Sequence, residues 1–197
     1  LPLLALAMPV SADLMQGAKL APTHLEILAG GDPNGSAKKA KKCVKCHGKT
    51  GVSDDDEIPN LAGQRASYTY KQLMEYKNNA RDGGRMNKTA RKLSEQDIAN
   101  LAQFYAAQTL TPMAGVSKPA ATPALVDKGD AGRGLTACAD CHGADGLGKD
   151  ADYDAPGLAG MSPIYFVETM QAFKAGERAN DPDEVMRKSA KALTDEE

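Results

Sequence analysis

All four cysteines of the chain lie in two short motifs with the same pattern. Residues 43–47 read CVKCH and residues 138–142 read CADCH. Two thiols three positions apart can each form a thioether with one vinyl group of a heme, and the adjacent imidazole then reaches the iron on the same face. The pattern therefore predicts two covalently bound heme c groups, each with its iron. The residues assigned to attachment and proximal ligation are Cys43, Cys46 and His47 in the first motif and Cys138, Cys141 and His142 in the second.

Paired cysteines also bind zinc, act as redox dithiols or form disulfides, but these alternatives explain less of the sequence. Zinc takes four ligands. The two pairs lie 95 residues apart in similar surroundings, and zinc binding would leave both motif histidines without a role. A thioredoxin-like dithiol belongs among alternating strands and helices, which this sequence does not predict. Heme attachment remains the prediction.

The second axial ligand of each iron is predicted to be a methionine. The one histidine outside the motifs, His24, precedes both repeats and is expected to be a solvated residue of an N-terminal arm. Of the eight methionines, only Met86 and Met186 occupy matching places, each seven residues before a leucine that leads into a helix cap. Met/His ligation raises the reduction potential of a heme iron. Three further methionines are assigned to packing: Met74, Met161 and Met170.

A proline follows each motif after a similar gap. Pro59 and Pro156 each open a Pro-x-Leu-Ala-Gly segment. A backbone carbonyl near such a proline could accept a hydrogen bond from the second nitrogen of the proximal imidazole and hold the ring. The alternative is a proline that only ends a loop. Leu61 and Leu158 of the same segments are expected to pack on the heme faces.

The whole surroundings of the motifs are repeated along the chain. The offset between matching residues drifts from 95 at the cysteines to 97 at Tyr68 and Tyr165, and to 100 at the methionines. The repeats predict two domains, residues 31–110 and 127–197. A segment rich in Pro and Ala, 111–126, is expected to be an extended linker, and 13–30 an N-terminal arm.

Apolar residues recur with helical spacing in each repeat. Ser94-Glu-Gln-Asp97 resembles a capping box, and the apolar stripe that follows predicts a helix from about 95 to 107. A second helix is predicted from 66 to 79, and another should end in each cysteine motif. The approach to the second motif is three residues shorter, so its helix should be shorter. The predicted fold class is all-α, with two tandem domains.

Composition and charge support a cofactor in each domain. Aromatic residues make up 5% of the chain, with no Trp, so two small domains would have thin cores that a large apolar cofactor completes. The net charge of −2 gives no signal for nucleic-acid binding. The charge is unevenly distributed between the two repeats. Residues 31–112 carry 14 Lys and Arg and 9 Asp and Glu, whereas residues 127–197 carry 8 Lys and Arg and 15 Asp and Glu. We expect each domain to face a partner of opposite charge.

The ends of the chain predict export and a longer natural protein. Residues 1–12 form an apolar run that ends in a small-x-small site, as in a signal peptide, and is too short to span a bilayer. The protein is therefore expected in the periplasm, and an uncleaved membrane anchor is the alternative. The cap that precedes the last helix of the first repeat recurs at Thr194. We expect the natural chain to continue for roughly a dozen residues past Glu197, because about 25 cal/mol for each Å² of apolar surface would otherwise be lost to water.

The sequence resembles the cytochrome c4 family, diheme periplasmic proteins made of two cytochrome c domains. The resemblance rests on both heme motifs, on the segments that begin at Pro59 and Pro156, and on Met86 and Met186, and it covers about residues 31–197. It implies His/Met ligation at both hemes and hemes that lie close together across a domain interface. It also implies electron delivery to terminal oxidases or other periplasmic acceptors.

The predicted function is electron transfer, one electron per heme, without substrate chemistry. An iron with His and Met ligands has no open coordination site for a substrate. The expected partners are redox proteins that donate and accept electrons, such as a terminal oxidase or a quinol-oxidising complex. The main alternative is the heme-bearing subunit of a larger redox enzyme, for example a sulfur-compound dehydrogenase. A diheme peroxidase is a weaker candidate because histidine is scarce.

Overall fold

The computed structural model describes residues 14–16, 19–110, 121–150 and 154–197. Helices dominate these residues, and the only sheets among them are two short antiparallel pairs. The predicted all-α class is confirmed. No helix among the described residues is long and apolar enough to cross a membrane. The predicted leader, residues 1–12, and most of the predicted linker, residues 111–120, lie outside the described residues.

The first domain contains five helices among the described residues, preceded by one short strand pair. The strands β1 and β2 are Met15–Gln16 and Lys19–Leu20. The helices are α1 (Pro22–Ala29), α2 (Ala37–His47), α3 (Ala66–Asn78), α4 (Arg85–Ala90) and α5 (Glu95–Ala106).

The boundaries of α3 and α5 follow from residues visible in the sequence. Asn79 ends α3 in the left-handed conformation that helix C-termini commonly adopt. At the start of α5, the Ser94 hydroxyl accepts a hydrogen bond from the backbone N–H of Asp97, and the Asp97 carboxylate accepts from the backbone N–H of Ser94. The predicted capping box is therefore confirmed, and α5 ends one residue before the predicted Ala107.

The main core of the first domain lies where α3 packs against α5. Tyr70 and Met74 of α3 and Ile98 of α5 are fully buried. Leucines of the arm complete this core: Leu14, Leu20 and Leu28. The residues that precede the first repeat are therefore part of its packed structure.

The expectation that His24 is solvated was wrong. His24 is 6% exposed, and its Nδ1 lies 2.8 Å from the hydroxyl of Tyr70. Pro22 sets the first turn of α1, and this helix packs on α3 and α5, which turns His24 toward the core. A single polar residue in an unassigned arm carries no sequence signal of such burial.

The second domain repeats the order of helices α1 to α4, and its first two helices are shorter than their counterparts. Its helices are α6 (Ala124–Lys128), α7 (Cys138–His142), α8 (Pro163–Ala175) and α9 (Val185–Ala192), with 3₁₀ turns at Ala131–Arg133 and Pro182–Glu184. The strands β3 and β4 are Lys149–Asp150 and Asp154–Ala155.

The shortened approach to the second motif has the predicted effect. The motif helix α7 has 5 residues, compared with 11 in α2. The helix α6 begins at Ala124, so the last three residues of the segment predicted as an extended linker are helical.

Candidate heme sites and the domain interface

Each motif histidine is the last residue of its helix and is held by one backbone carbonyl. His47 and His142 are both 8% exposed. The Nδ1 of His47 lies 2.9 Å from the carbonyl oxygen of Pro59, and the Nδ1 of His142 lies 2.9 Å from that of Pro156. Because a carbonyl oxygen only accepts hydrogen bonds, Nδ1 carries the proton in both rings. The Nε2 lone pair is thus available to a metal.

Burial also favours the neutral form of both imidazoles. It lowers the pKa of His47 and of His142, and the hydrogen bond to the proline carbonyl opposes that shift only in part. A metal binds the neutral imidazole. Both rings are therefore prepared for ligation at ordinary pH.

The carbonyls of Pro59 and Pro156 are positioned by matching loop contacts. The N–H of Leu61 donates to the carbonyl of Gly51 at 2.7 Å, and the N–H of Leu158 donates to that of Gly146 at 2.7 Å. Both glycines have positive φ, 84° and 70°. A Cβ on Gly51 would lie 2.9 Å from the backbone nitrogen of Ala62 in the proline segment and 2.9 Å from the ring of Tyr105. Glycine at this position therefore lets the two loops approach closely enough to hold the histidine.

All four motif cysteines are half-buried, and none of these described residues is in a disulfide. Burial raises the pKa of Cys43 and of Cys138, which keeps them as thiols in this structure. The described parts of the chain contain no group of three or more His, Cys, Asp or Glu side chains that could hold a metal ion.

Apolar side chains of the first domain form a wall beside Cys43. Ala40, Leu101 and Tyr105 are buried at its base. Half-buried residues pack against them: Cys43, Leu61, Leu73, Leu93 and Phe104. A flat apolar macrocycle attached at Cys43 and Cys46 fits against such a wall, and the free Nε2 of His47 fits its iron. The donor set and its surroundings therefore suit heme c.

Met86 and Met186 occupy matching places in the structure as well. Met86 is the second residue of α4 and Met186 the second residue of α9, and both side chains are half-buried. Of the methionines assigned to packing, Met74 lies in the core, whereas Met161 and Met170 are half-buried.

Polar contacts join the two domains. The side chain of Gln64 donates to the carbonyl of Gly157 at 2.9 Å and accepts from the N–H of Gly157 at 2.9 Å. Asn60 donates to the carbonyl of Gly160 at 2.8 Å. The two proline segments that hold the motif histidines therefore contact each other directly.

A second group of interface contacts involves a polar face of α3 that sequence reasoning missed. Lys71, Gln72 and Glu75 are buried although they are polar, and they face Asn180 of the second domain. Gln72 follows Lys71 by one position and Glu75 follows it by four, so the three side chains lie on one side of α3, beside its buried apolar residues. Such a face usually meets solvent, so its burial becomes predictable only when the docked second domain is considered.

Comparisons with known proteins agree with these sites. The cytochrome c family model matches residues 34–107. A cytochrome c4 of Thiocapsa roseopersicina is 37% identical over 175 residues, which is 85% of this chain and 88% of the relative. A thiosulfate dehydrogenase electron acceptor of Stutzerimonas stutzeri is 31% identical and covers 83% of this chain and 77% of its own length.

A solved structure shows the same arrangement of both domains. Reduced recombinant cytochrome c4 from Pseudomonas stutzeri superposes with a TM-score of 0.76 at 31% identity, over 84% of this chain and 92% of that one. The sequence alignment covers 85% of this chain, so it extends into both repeats. The chain therefore belongs to the cytochrome c4 family, and it is an electron-transfer cytochrome with two covalently bound heme c groups.

Proposed function

We propose that this protein is a two-site electron relay in which residues 31–110 and 127–197 each hold one heme. In the first domain the attachment residues are Cys43 and Cys46 and the axial ligands are His47 and Met86. In the second domain they are Cys138 and Cys141, with His142 and Met186 as ligands. Pro59, Leu61, Pro156 and Leu158 complete the proximal surroundings. The carrying observation is the hydrogen bond of 2.9 Å between the motif histidine and a proline carbonyl in both repeats.

Within this proposal the protein residues hold and tune the redox centre. Bound heme supplies an iron that changes oxidation state by one electron. The proline carbonyls fix the tautomer and the orientation of the imidazoles. With heme bound, Met86 and Met186 would supply the second ligand of each iron, which would leave neither site open to a substrate. The polar contacts between Gln64 and Gly157 hold the two domains together, which supports a short path for electrons between the two heme sites.

We further propose that the protein acts in the periplasm between two redox proteins of different charge. Four exposed lysines lie on the motif helix α2: Lys38, Lys41, Lys42 and Lys45. The corresponding helix α7 carries an exposed acid, Asp140. Surface charge accelerates the encounter with a partner of opposite sign. The first domain therefore suits an acidic donor or acceptor and the second a basic one.

A second candidate function is electron acceptance within a sulfur-compound dehydrogenase. It is favoured by the similarity to the thiosulfate dehydrogenase electron acceptor of Stutzerimonas stutzeri. In that case the catalytic centre lies on another chain, and this protein should copurify with a second heme protein or a flavoprotein. Purification from periplasm without such a partner, together with fast electron exchange with a terminal oxidase, would favour the free carrier.

The ligand assignment is tested by replacing each methionine in the full protein with both hemes attached. Met86→Ala and Met186→Ala should each remove part of the sulfur-to-iron charge-transfer band of the oxidised protein. Each should also open one iron to carbon monoxide and lower one reduction potential, because a thioether stabilises reduced iron. Met74→Ala serves as the control, since Met74 lies in the core and should leave the band intact. A Met86→Ala protein with the full band would contradict the assignment.

A further inference from the structure

The loops that lead into Met86 and Met186 differ in length. Four residues separate Arg81 from Met86, whereas seven separate Arg178 from Met186. The three additional residues account for the change in repeat offset from 97 to 100. They also give the second loop contacts that the first loop does not have.

The first loop is held from within its own domain by Asn87, the residue after Met86. Asn87 is 5% exposed. Its amide nitrogen donates to the carbonyls of Tyr76 at 2.9 Å and of Arg81 at 2.8 Å. Its Oδ1 accepts from the N–H of Gly83 at 2.8 Å. One buried side chain beside the methionine therefore ties this loop to α3 of the same domain.

The second loop is held by the other domain. The amide nitrogen of Asn180 donates to Glu75 at 2.7 Å and to Gln72 at 3.0 Å. The carbonyl of Asn180 accepts from the ammonium group of Lys71 at 2.8 Å. All three contacts reach α3 of the first domain, so Asn180 attaches the loop to that helix, as does Arg178 through Tyr68 and Gln72.

A short chain of contacts continues from Asn180 to Met186. The next residue, Asp181, is 9% exposed and accepts from the backbone N–H of Arg187 at 2.9 Å and from its Nε at 2.7 Å. Arg187 occupies the place that Asn87 has in the first repeat. The position of Met186 is thus connected through Asp181 and Asn180 to the first domain.

The attachment point is buried and charged, which makes it a defined contact. The side chains of Lys71 and Glu75 are 6% and 8% exposed, and their charged groups lie 2.6 Å apart. Breaking a contact in such a place leaves a buried polar group without a partner, which is costly. Asn180 therefore has one strongly preferred arrangement on α3.

We propose that Asn180 is a positioning residue through which the first domain fixes Met186 in the second. The loop of Met86 depends less on docking, because Asn87 holds it within the first domain and its contact with Tyr165 of the second domain is made by Arg81, at the start of the loop. This inference rests on the proposed ligand role of Met186. It implies that a change in how the domains dock alters the coordination of the second heme more than that of the first.

The test compares Asn180→Ala with Asn87→Ala in the full diheme protein, with added imidazole as a competitor for the methionine position. In a Met86→Ala background the remaining charge-transfer band reports the second heme alone, and in a Met186→Ala background it reports the first. Asn180→Ala should raise the imidazole affinity of the second heme by about tenfold, as expected for the loss of one or two hydrogen bonds. It should leave the first heme unchanged, and Asn87→Ala should do the reverse.

The outcomes separate the two proposals. If the band remaining in Met86→Ala persists after Met186→Ala is added, the ligand assignment fails. If the assignment holds and Asn180→Ala changes neither the band nor the imidazole affinity of the second heme, the positioning role is refuted. Asn180→Asp keeps the size of the side chain but replaces the amide donor that contacts Glu75 and Gln72 with an acceptor, and it should give an effect of the same kind. This variant keeps the test decisive if Asn180→Ala impairs heme incorporation.

Discussion

The guanidinium of Arg178 donates a hydrogen bond to the hydroxyl of Tyr68 at 3.0 Å, across the domain interface. The equivalent pair, with the roles of the two domains exchanged, makes the reciprocal contact. Arg81 of the first domain donates to the hydroxyl of Tyr165 of the second at 3.1 Å. Tyr68 and Tyr165 are 97 positions apart, as are Arg81 and Arg178. The two domains therefore exchange equivalent side chains, and both crossed pairs contribute to docking.

Removal of one tyrosine hydroxyl should weaken the coupling between the domains. Hydrogen bonds to charged groups contribute about 1.5–3 kcal/mol, so Tyr68→Phe and Tyr165→Phe should lower the free energy of unfolding by up to that amount. Hydrogen exchange of peptides should show faster opening in both domains. Tyr70→Phe is the matched control, because its hydroxyl contacts His24 within the first domain and should affect that domain alone. A Tyr68→Phe effect confined to the first domain would contradict the coupling.

The stability of the first domain should fall in acid because of Asp97. Hydrogen bonds from Lys39 and Ser94 outweigh the effect of burial and lower the pKa of Asp97 from 3.8 to about 2. A pKa that is lower in the folded state gives stability that is present above the unfolded value and is lost as pH falls through the folded value. The loss should occur between about pH 4 and pH 2.

Urea unfolding of Asp97→Asn at several pH values measures this contribution. At pH 6 the variant should be less stable by about 1 kcal/mol, the usual effect of a damaged helix cap. The difference from the parent protein should shrink toward pH 2, because Asp97 then becomes protonated in both states. A difference that stays constant from pH 6 to pH 2 would show that the charge of Asp97 contributes nothing.

His24 should matter for stability and not for the iron sites. His24→Ala removes the hydrogen bond to the buried hydroxyl of Tyr70, and leaving such a group unsatisfied costs about 1–3 kcal/mol. The denaturation midpoint should therefore fall, while the absorption spectra and both reduction potentials stay unchanged. A shift in either potential would mean that His24 acts on a heme site.

Electron exchange should depend on the charge of the domain that meets the partner. Lys42→Glu with Lys45→Glu reverses two exposed charges on α2 and should slow electron transfer with an acidic redox protein. Lys188→Glu with Lys191→Glu makes the same change in net charge on the second domain and is the matched control. For Lys42→Glu with Lys45→Glu, the difference in electron-transfer rate from the parent protein should be smaller at the higher of two salt concentrations, because salt screens surface charge. Equal slowing by both variants would argue against separate docking surfaces.

Sequence patterns predicted the parts of the molecule that depend on neighbours close in the chain. The helices α3 and α5 and the capping box at Ser94 follow from local spacing and residue type. The contact between the motif histidine and a proline carbonyl was also expected, because the same proline follows both motifs. Repetition made a distant contact visible in a single sequence.

The contacts that sequence patterns missed are those made between separate units. Burial of His24 requires the packing of α1 on α3, and burial of Lys71 and Glu75 requires the docked second domain. Each of these residues is polar and has a spacing that suits a solvated helix face. Their partners lie 46 to 109 positions away, beyond the reach of periodicity.

The make-up of the main core of the first domain suggests an order of assembly. All its buried residues lie between Leu14 and Ala102, so they are available before the second cysteine motif has been synthesised. Domains generally fold as units, the N-terminal one first during synthesis. The second domain then meets a completed α3 whose Lys71, Gln72 and Glu75 are already in place. The first half of the chain would thus act as a template on which the second half completes its own fold.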